Sequence, residues 1–205
     1  MPYLNLNYTR KTTKRLAVTK KRSVINKIIA WDRGKEYYDG DRINGYGGFK
    51  YDGRWRNILP KLIQRYNLKK NSKVLDLGCK KGFLLKDLKD LVPGIKIFGI
   101  EDHDYPLKKS MKEVSKNLKK SYYYNLPFKN NFFDAVFAFH CIYRANFGDT
   151  LKTIREIMRV TKKKNSYITL GAFHDKKGKE LYDQWGILST THLHVKDWKK
   201  IIKYL

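Results

Sequence analysis

The chain has 205 residues and a formal net charge of +26 at pH 7, because 45 Lys and Arg face 19 Asp and Glu. A hydrophobic share of 41% supports a packed core and excludes a wholly disordered chain. No apolar run approaches the ~20 residues that cross a bilayer, and no apolar segment of a secretory signal follows the basic N-terminus. Two cysteines are too few for a disulfide scaffold and fit a reducing compartment. We therefore expect a cytoplasmic domain without a transmembrane segment.

Two interpretations of the positive charge remain open at this stage. A lysine-rich composition, as AT-rich codons produce, would give a solvated surface without a ligand. The functional interpretation is a polyanionic partner such as RNA, a nucleotide-linked substrate or an anionic membrane face. Residues 1–31 hold eight basic residues and no acid, so the other 174 residues still carry +18. The charge is therefore distributed along the chain.

The first 67 residues are predicted to precede the main domain. Residues 1–22 show little periodicity and are predicted to form a basic N-terminal arm. Apolar residues recur at helical spacing over 23–31 and over 56–67, which predicts two short helices. Residues 34–55 between them are dense in Gly, Tyr and Asp. Such a segment is either a lid over a binding site or a packed hydrophobic plug, and we interpret it as a Gly/Tyr-rich lid.

From residue 73 onward, strand and helix patterns alternate. Strands are predicted at 73–78, 96–100, 121–124, 132–139 and 166–170, and helices at 83–91, 106–118, 149–160 and 196–205. This alternation is typical of an α/β domain with a doubly wound, Rossmann-like, mostly parallel sheet. We place that domain at residues 68–205.

The ends of the first two predicted strands carry candidate ligand-binding residues. Ligands of a doubly wound sheet bind outside the carboxyl ends of the strands, where this chain has Asp76, a Gly78-x-x-x-Gly82 turn and Glu101. An acid at the end of the second strand can accept both hydroxyls of a ribose. The turn lacks the G-x-G-x-x-G of a dinucleotide site, and Asp76 is unfavourable beside a pyrophosphate but favourable near a sulfonium and an ammonium. These residues favour S-adenosylmethionine over a dinucleotide.

The same segments resemble a known family. Residues 74–85, Val-Leu-Asp-Leu-Gly-Cys-Lys-Lys-Gly-Phe-Leu-Leu, resemble the first motif of class I S-adenosylmethionine-dependent methyltransferases, in particular those of type 11. Residues 126–136 and 154–160 are similar to later blocks of that family, in the same order, and 45–55 resembles the N-terminal region of one bacterial branch. The resemblance implies cofactor contacts from Asp76, Gly78, Cys79, Gly82, Glu101, Asp102, Asn125 and Leu126.

Three features depart from the family pattern. Lys80 stands where the family usually has Gly, so a Cβ and a cation lie in the cofactor turn. The acid that commonly follows strand three has no clear counterpart, and Asn125 or a backbone group would have to replace it. The terminal strand hairpin is either absent, or residues 185–190 supply a shortened edge.

The acceptor side of the expected site lies after the fourth strand. His140 follows that strand, where it either acts as a general base or only shapes the rim. Arg144 would suit a carboxylate or a phosphate. The expected acceptor-binding residues are Tyr46, Tyr51, Arg54, Trp55, Tyr143 and Arg144.

The remaining histidines and the cysteines are not predicted to bind metal. His174, His192 and His194 have Asp175 and Asp197 nearby in sequence, but a His-x-His pair without a third fixed ligand is weak. Cys79 and Cys141 follow strands that are neighbours in the expected sheet, and reduced thiols are favoured over a bridge or a zinc site.

The favoured function is methyl transfer from S-adenosylmethionine to a small or nucleotide-linked, anionic acceptor. One alternative is an RNA methyltransferase, which the basic arm would suit. The N/D-P-P-Y signature of exocyclic-amine methylation is missing at 139–142, where the chain reads Phe-His-Cys-Ile. A second alternative is a non-catalytic relative that uses the fold as a binding module. The sequence leaves the oligomeric state open.

Overall fold

The computed structural model describes Leu6 and residues 22–205. The described residues divide into two compact units, one formed by residues 51–169 and the other by the described part of 1–50 together with 170–205. Apart from Leu6 and Arg22, the predicted basic arm lies outside the described residues. The boundaries placed after residues 22 and 67 from the sequence stay a prediction.

The unit of residues 51–169 is built on a five-stranded sheet in which every strand pair is parallel, in the order β3-β2-β1-β4-β5. The strands are β1 (Lys73–Leu77), β2 (Lys96–Glu101), β3 (Leu118–Lys120), β4 (Ala135–Ala138) and β5 (Ser166–Ile168). Strand β4 is buried throughout and β1 nearly so, as expected for central strands covered on both faces. The predicted doubly wound α/β fold is confirmed.

Four helices belong to this unit: α3 (Leu59–Arg65), α4 (Phe83–Leu91), α5 (Asp104–Lys108) and α6 (Phe147–Val160). Helix α4 buries Phe83, Leu84, Leu85 and Leu88. Helix α6 is capped by Asn146, whose side chain accepts a hydrogen bond from the backbone N–H of Asp149, a typical N-cap. No helix among the described residues combines the length and the apolar character that crossing a membrane requires.

The segment after β2 differs from the predicted long helix over 106–118, which is wrong. Helix α5 ends at Lys108 because the chain then turns back toward the cofactor turn. The backbone N–H of Met111 donates to the carbonyl of Lys81 at 3.1 Å, and Val114 is fully buried. These long-range contacts replace the next helical turn.

The third strand also differs from its prediction at 121–124, which is wrong. Strand β3 lies three residues earlier, with Leu118 opposite Gly99 of β2. A Cβ on Gly99 would lie 2.5 Å from the Leu118 side chain, so this glycine makes room for the pairing. The Tyr122 side chain is 64% exposed, so strand-forming side chains alone did not decide where the strand lies.

The second unit contains helices α1 (Val24–Asp32), α2 (Lys35–Tyr38), α7 (Lys176–Trp185) and α8 (Val195–Tyr204). Two short parallel strands, β6 (Ala172–Phe173) and β7 (Leu193–His194), pair with each other. Residue 185 ends α7 and residues 186–190 form no strand, so the alternative of a shortened edge at 185–190 is wrong. The predicted C-terminal helix is confirmed as α8, which is tied to this unit by Trp198 Nε1 donating to the Gly171 carbonyl at 2.7 Å.

The buried carboxylate of Asp87 on α4 provides a test of the packing within the unit of residues 51–169. Asp87 accepts a hydrogen bond from Tyr51 Oη at 2.5 Å, and Arg56 Nε lies 3.2 Å from the same oxygen. Tyr51→Phe removes the shorter contact, so we expect it to lower the free energy of unfolding by about 1–3 kcal/mol in urea denaturation. Tyr122→Phe, at an exposed position, is the control and should change it by less than about 0.5 kcal/mol. Equal losses in the two variants would contradict this role of Tyr51.

Candidate cofactor site

The turn between β1 and α4 forms the floor of the candidate site. Gly78 and Gly82 have φ angles of 76° and 82°, in the region that favours glycine, and Lys80 has a φ angle of 53°. The N–H of Gly78 donates to the carbonyl of Ile100 at 2.8 Å, which ties the turn to the end of β2. A Cβ on Gly78 would lie 2.5 Å from the Cβ of Cys141, so only glycine allows this close approach to the chain after β4.

Two buried carboxylates lie at the ends of β1 and β2. Asp76 is 4% exposed and Glu101 is fully buried. Burial raises the pKa of Asp76 to about 7; the Lys80 charge opposes the rise and the Glu101 charge adds to it. Burial also raises the pKa of Glu101 to about 7, helped by its hydrogen bond with Asp102. Both acids therefore lie near the middle of their titration at neutral pH.

The Glu101 side chain is fixed by two backbone donors. One oxygen accepts from the N–H of Lys80 at 3.1 Å and the other from the N–H of Asp102 at 3.2 Å. The carboxylate thereby links the two loops that carry the sequence-predicted residues. Sequence reasoning placed Asp76 and Glu101 at one edge of the sheet, and the pairing of β1 with β2, with Leu77 opposite Ile100, brings the two strand ends together.

A hydrogen-bonded group that the sequence did not predict lies beside these acids. Tyr123 Oη donates to Asp102 at 2.9 Å and accepts from Arg144 Nη2 at 3.1 Å. The Arg144 guanidinium lies 3.7 Å from the same Asp102 carboxylate, and its side chain is only 10% exposed. Tyr123 is 7% exposed, and burial raises its pKa well above the usual value. The only feature of the sequence that pointed to Tyr123 was its place in the run Tyr122-Tyr-Tyr-Asn125.

Asn125 and Leu126 follow β3, and Leu126 is anchored to helix α6. The Leu126 N–H donates to Glu156 at 2.7 Å, and Arg159 donates to the Leu126 carbonyl at 3.0 Å. Glu156 and Arg159 pair with each other at 2.6 Å. The backbone of Leu126 is thus already bonded within the fold, whereas Asn125 is exposed.

The chain after β4 carries His140 in an exposed position with a φ angle of 52°. Tyr143 Oη lies 3.4 Å from His140 Nδ1, so these two side chains form a pair. Cys141, the next residue, is 1% exposed, and its thiol lies 3.1 Å from the Leu77 carbonyl. Burial raises the pKa of Cys141 to about 12. Both cysteines are free and buried, so their thiols are protonated at neutral pH.

The predicted lid residues fall into different parts of the fold. Trp55 packs edge-on against Phe139, with ring centroids 4.7 Å apart, beside the residue that precedes His140. Arg54 pairs with Asp52 at 2.7 Å. Tyr46 belongs to the other unit, where its ring stacks on Tyr38 and packs against Phe49.

The remaining histidines have protein partners. His192 pairs with Asp183 at 2.6 Å, and His194 Nε2 lies 2.8 Å from the His174 carbonyl while its Nδ1 accepts from the Lys196 N–H. Over Leu6 and residues 22–205, no three His, Cys, Asp or Glu side chains group in a way that could hold a metal ion.

Comparisons with known proteins match this fold. Residues 75–169 match the model of a protein family described as methyltransferase domain. A comparison with curated proteins found no match. Among solved structures, a protein from Haloferax volcanii described as a methyltransferase, in complex with the Trm112 methyltransferase activator, aligns with a TM-score of 0.58. It is 19% identical over 87% of this chain and 74% of that chain.

Two further structures show the same fold. A protein from Galdieria sulphuraria described as a sarcosine dimethylglycine methyltransferase aligns with a TM-score of 0.58 at 18% identity, over 74% of this chain and 58% of that chain. A protein from Bacillus halodurans described as a methyltransferase aligns with a TM-score of 0.55 at 18% identity, over 71% of this chain and 67% of that chain. The fold is that of class I S-adenosylmethionine-dependent methyltransferases, and residues 75–169, just under half of the chain, match the methyltransferase-domain family model.

Proposed function

We propose that this methyltransferase acts on a small or nucleotide-linked, anionic acceptor bound beside His140. The observation that carries the proposal is the exposed His140–Tyr143 pair after β4, at the same edge of the parallel sheet as the buried acids of β1 and β2. The net charge of +26 supports an anionic acceptor, because a strongly basic protein concentrates anions near its surface.

The carboxylates at the ends of β1 and β2 fit S-adenosylmethionine by their chemistry. Glu101 offers a carboxylate for ribose hydroxyls, and Asp76 adds negative charge near the cofactor's cationic groups. We propose that the turn at 78–82 and Cys79 contact the cofactor through backbone groups. Asp102, Asn125 and Leu126 would border its adenosine portion. When bound, S-adenosylmethionine supplies an electrophilic methyl group.

The residues after β4 would orient the acceptor. The His140 imidazole, held by Tyr143, can take a proton from the acceptor's nucleophilic atom. Arg144 donates to Tyr123 and lies beside Asp102, so it would position the rim, and its positive charge would suit an anionic acceptor. Trp55 would cover this rim, because it packs on Phe139. Tyr51 and Arg54, which belong to the same unit as His140, complete the proposed acceptor-binding set.

The function is tested by methyl transfer from isotopically labelled S-adenosylmethionine to separate acceptor pools. One pool contains small carboxylates and phosphates, a second nucleotide-linked metabolites, and a third RNA. Label in either of the first two pools supports the proposal. Label in RNA alone, with an affinity that falls steeply with salt, would replace it by the RNA alternative.

His140→Gln tests the role of the imidazole. We expect the rate constant of methyl transfer to fall by about 10²-fold or more, because an amide cannot act as a general base. The affinity for S-adenosylmethionine, measured by calorimetry, should stay within about 2-fold, since exposed His140 is not among the proposed cofactor contacts. His174→Gln, an exposed histidine of the other unit, is the control. An unchanged rate in His140→Gln would leave His140 with a purely structural role.

A further inference from the structure

Lys80 is unusual in both its backbone and its side chain. Its φ angle of 53° lies in the region where residues with a Cβ are disfavoured. Its backbone N–H donates to Glu101, as described above. The side chain turns back over the cofactor turn, and its ammonium lies 3.2 Å from the Gly78 carbonyl and 3.5 Å from the Phe139 carbonyl.

The two carbonyls that accept from the Lys80 ammonium form a position that suits a cation. Gly78 directly follows β1 and Phe139 directly follows β4, and the two strands are neighbours at the centre of the sheet. Both carbonyls therefore lie at the edge of the sheet where a doubly wound fold binds its ligand. The buried carboxylates of Asp76 and Glu101 add negative charge, and the Lys80 charge lowers the pKa of each against the effect of burial.

We propose that Lys80 determines the cofactor specificity of this site by placing its own ammonium where the ammonium of a cofactor's methionine portion would bind. The inference rests on the proposed function, in which Asp76 and Glu101 border the cofactor. Two ammonium groups cannot share two carbonyls, so S-adenosylmethionine must displace the lysine side chain before its amino-acid portion is seated. The nucleoside portion, which would bind at Glu101, meets no such competition.

The experiment compares two ligands on matched variants. Lys80→Ala removes the ammonium and keeps a Cβ, and calorimetry measures the binding of S-adenosylmethionine and of 5′-methylthioadenosine, which has no amino-acid portion. We expect Lys80→Ala to bind S-adenosylmethionine about 10-fold more tightly or better, with 5′-methylthioadenosine changed by less than about 2-fold. Lys80→Gly, which suits the left-handed backbone, should show the same pattern.

Lys96→Ala is the matched control, because it removes the same charge from an exposed residue at the opposite end of β2. It should leave the binding of both ligands within about 2-fold of the unaltered protein. Unchanged or weaker binding of S-adenosylmethionine in the Lys80 variants would overturn the inference and leave the proposed function intact. An equal gain for both ligands would overturn it as well. No binding of either ligand by any of these proteins would overturn the proposed function together with the inference.

Discussion

Glu101→Gln is expected to weaken the binding of S-adenosylmethionine by about 10- to 100-fold at pH 8, measured by calorimetry. The carboxylate can accept from two ribose hydroxyls, whereas the amide of glutamine keeps one acceptor oxygen. Because the pKa of Glu101 is about 7, the side chain is mostly ionised at pH 8 and its hydrogen bonds are charge-assisted. Glutamine keeps nearly the same shape at this fully buried position, but its NH2 would face one of the two backbone N–H donors, so the lost hydrogen bond to that loop contributes to the effect.

Asp104→Asn is the control for this measurement. Asp104 is an exposed acid that pairs with Lys120 at 2.5 Å, three residues beyond Glu101. The Asp104→Asn variant should bind S-adenosylmethionine with the affinity of the unaltered protein. The affinity lost in Glu101→Gln is then due to the change at the site and not to the change in net charge. Equal affinity in Glu101→Gln and the unaltered protein would remove Glu101 from the proposed cofactor contacts.

Asp76→Asn is expected to stabilise the ligand-free protein, and more so at high pH. Burial raises the folded-state pKa of Asp76 to about 7, so the folded state keeps a proton that the unfolded state has already lost. The stability contributed by that proton is fully present below about pH 4 and is lost as the pH rises through 7. Asparagine resembles the neutral acid and avoids this loss.

The size of the effect follows from the pKa difference. An aspartate moved from its ordinary pKa to about 7 loses at most about 4 kcal/mol of stability at pH 8, and less than half of that at pH 5. Urea denaturation of both proteins at pH 5 and pH 8 measures the difference between them. Asp104→Asn should show no such gain at either pH. A gain from Asp76→Asn that is the same at both pH values would show that packing, not ionisation, is responsible.

Local sequence patterns were sufficient for the parts of the site formed by one continuous segment. The run from Val74 to Leu85 predicted strand β1, the turn and helix α4, because apolar burial, glycine at positive φ and helical periodicity are all local properties. Glu101 could be placed at the same edge as Asp76, since parallel strands bring their carboxyl ends together.

The segment between β2 and β4 could not be predicted in the same way. The tyrosines at 122–124 have side chains that favour strands, but the register is decided by Gly99, which makes room for Leu118 on the neighbouring strand. The hydrogen bonds that join Asp102, Tyr123 and Arg144 connect residues 21 positions apart along the chain. No short-range pattern contains that information.

The sequence by itself determined the parallel sheet, the order of its motifs and the acids and glycines at the ends of β1 and β2. The tertiary structure decided the charge state of those acids, because burial depends on what the rest of the chain packs over them. It also decided the position of Lys80, whose ammonium reaches a carbonyl 59 residues further along the chain. Hydrophobic periodicity and turn chemistry are properties of short continuous segments, whereas pKa values and side-chain positions arise from contacts that only the folded chain brings together.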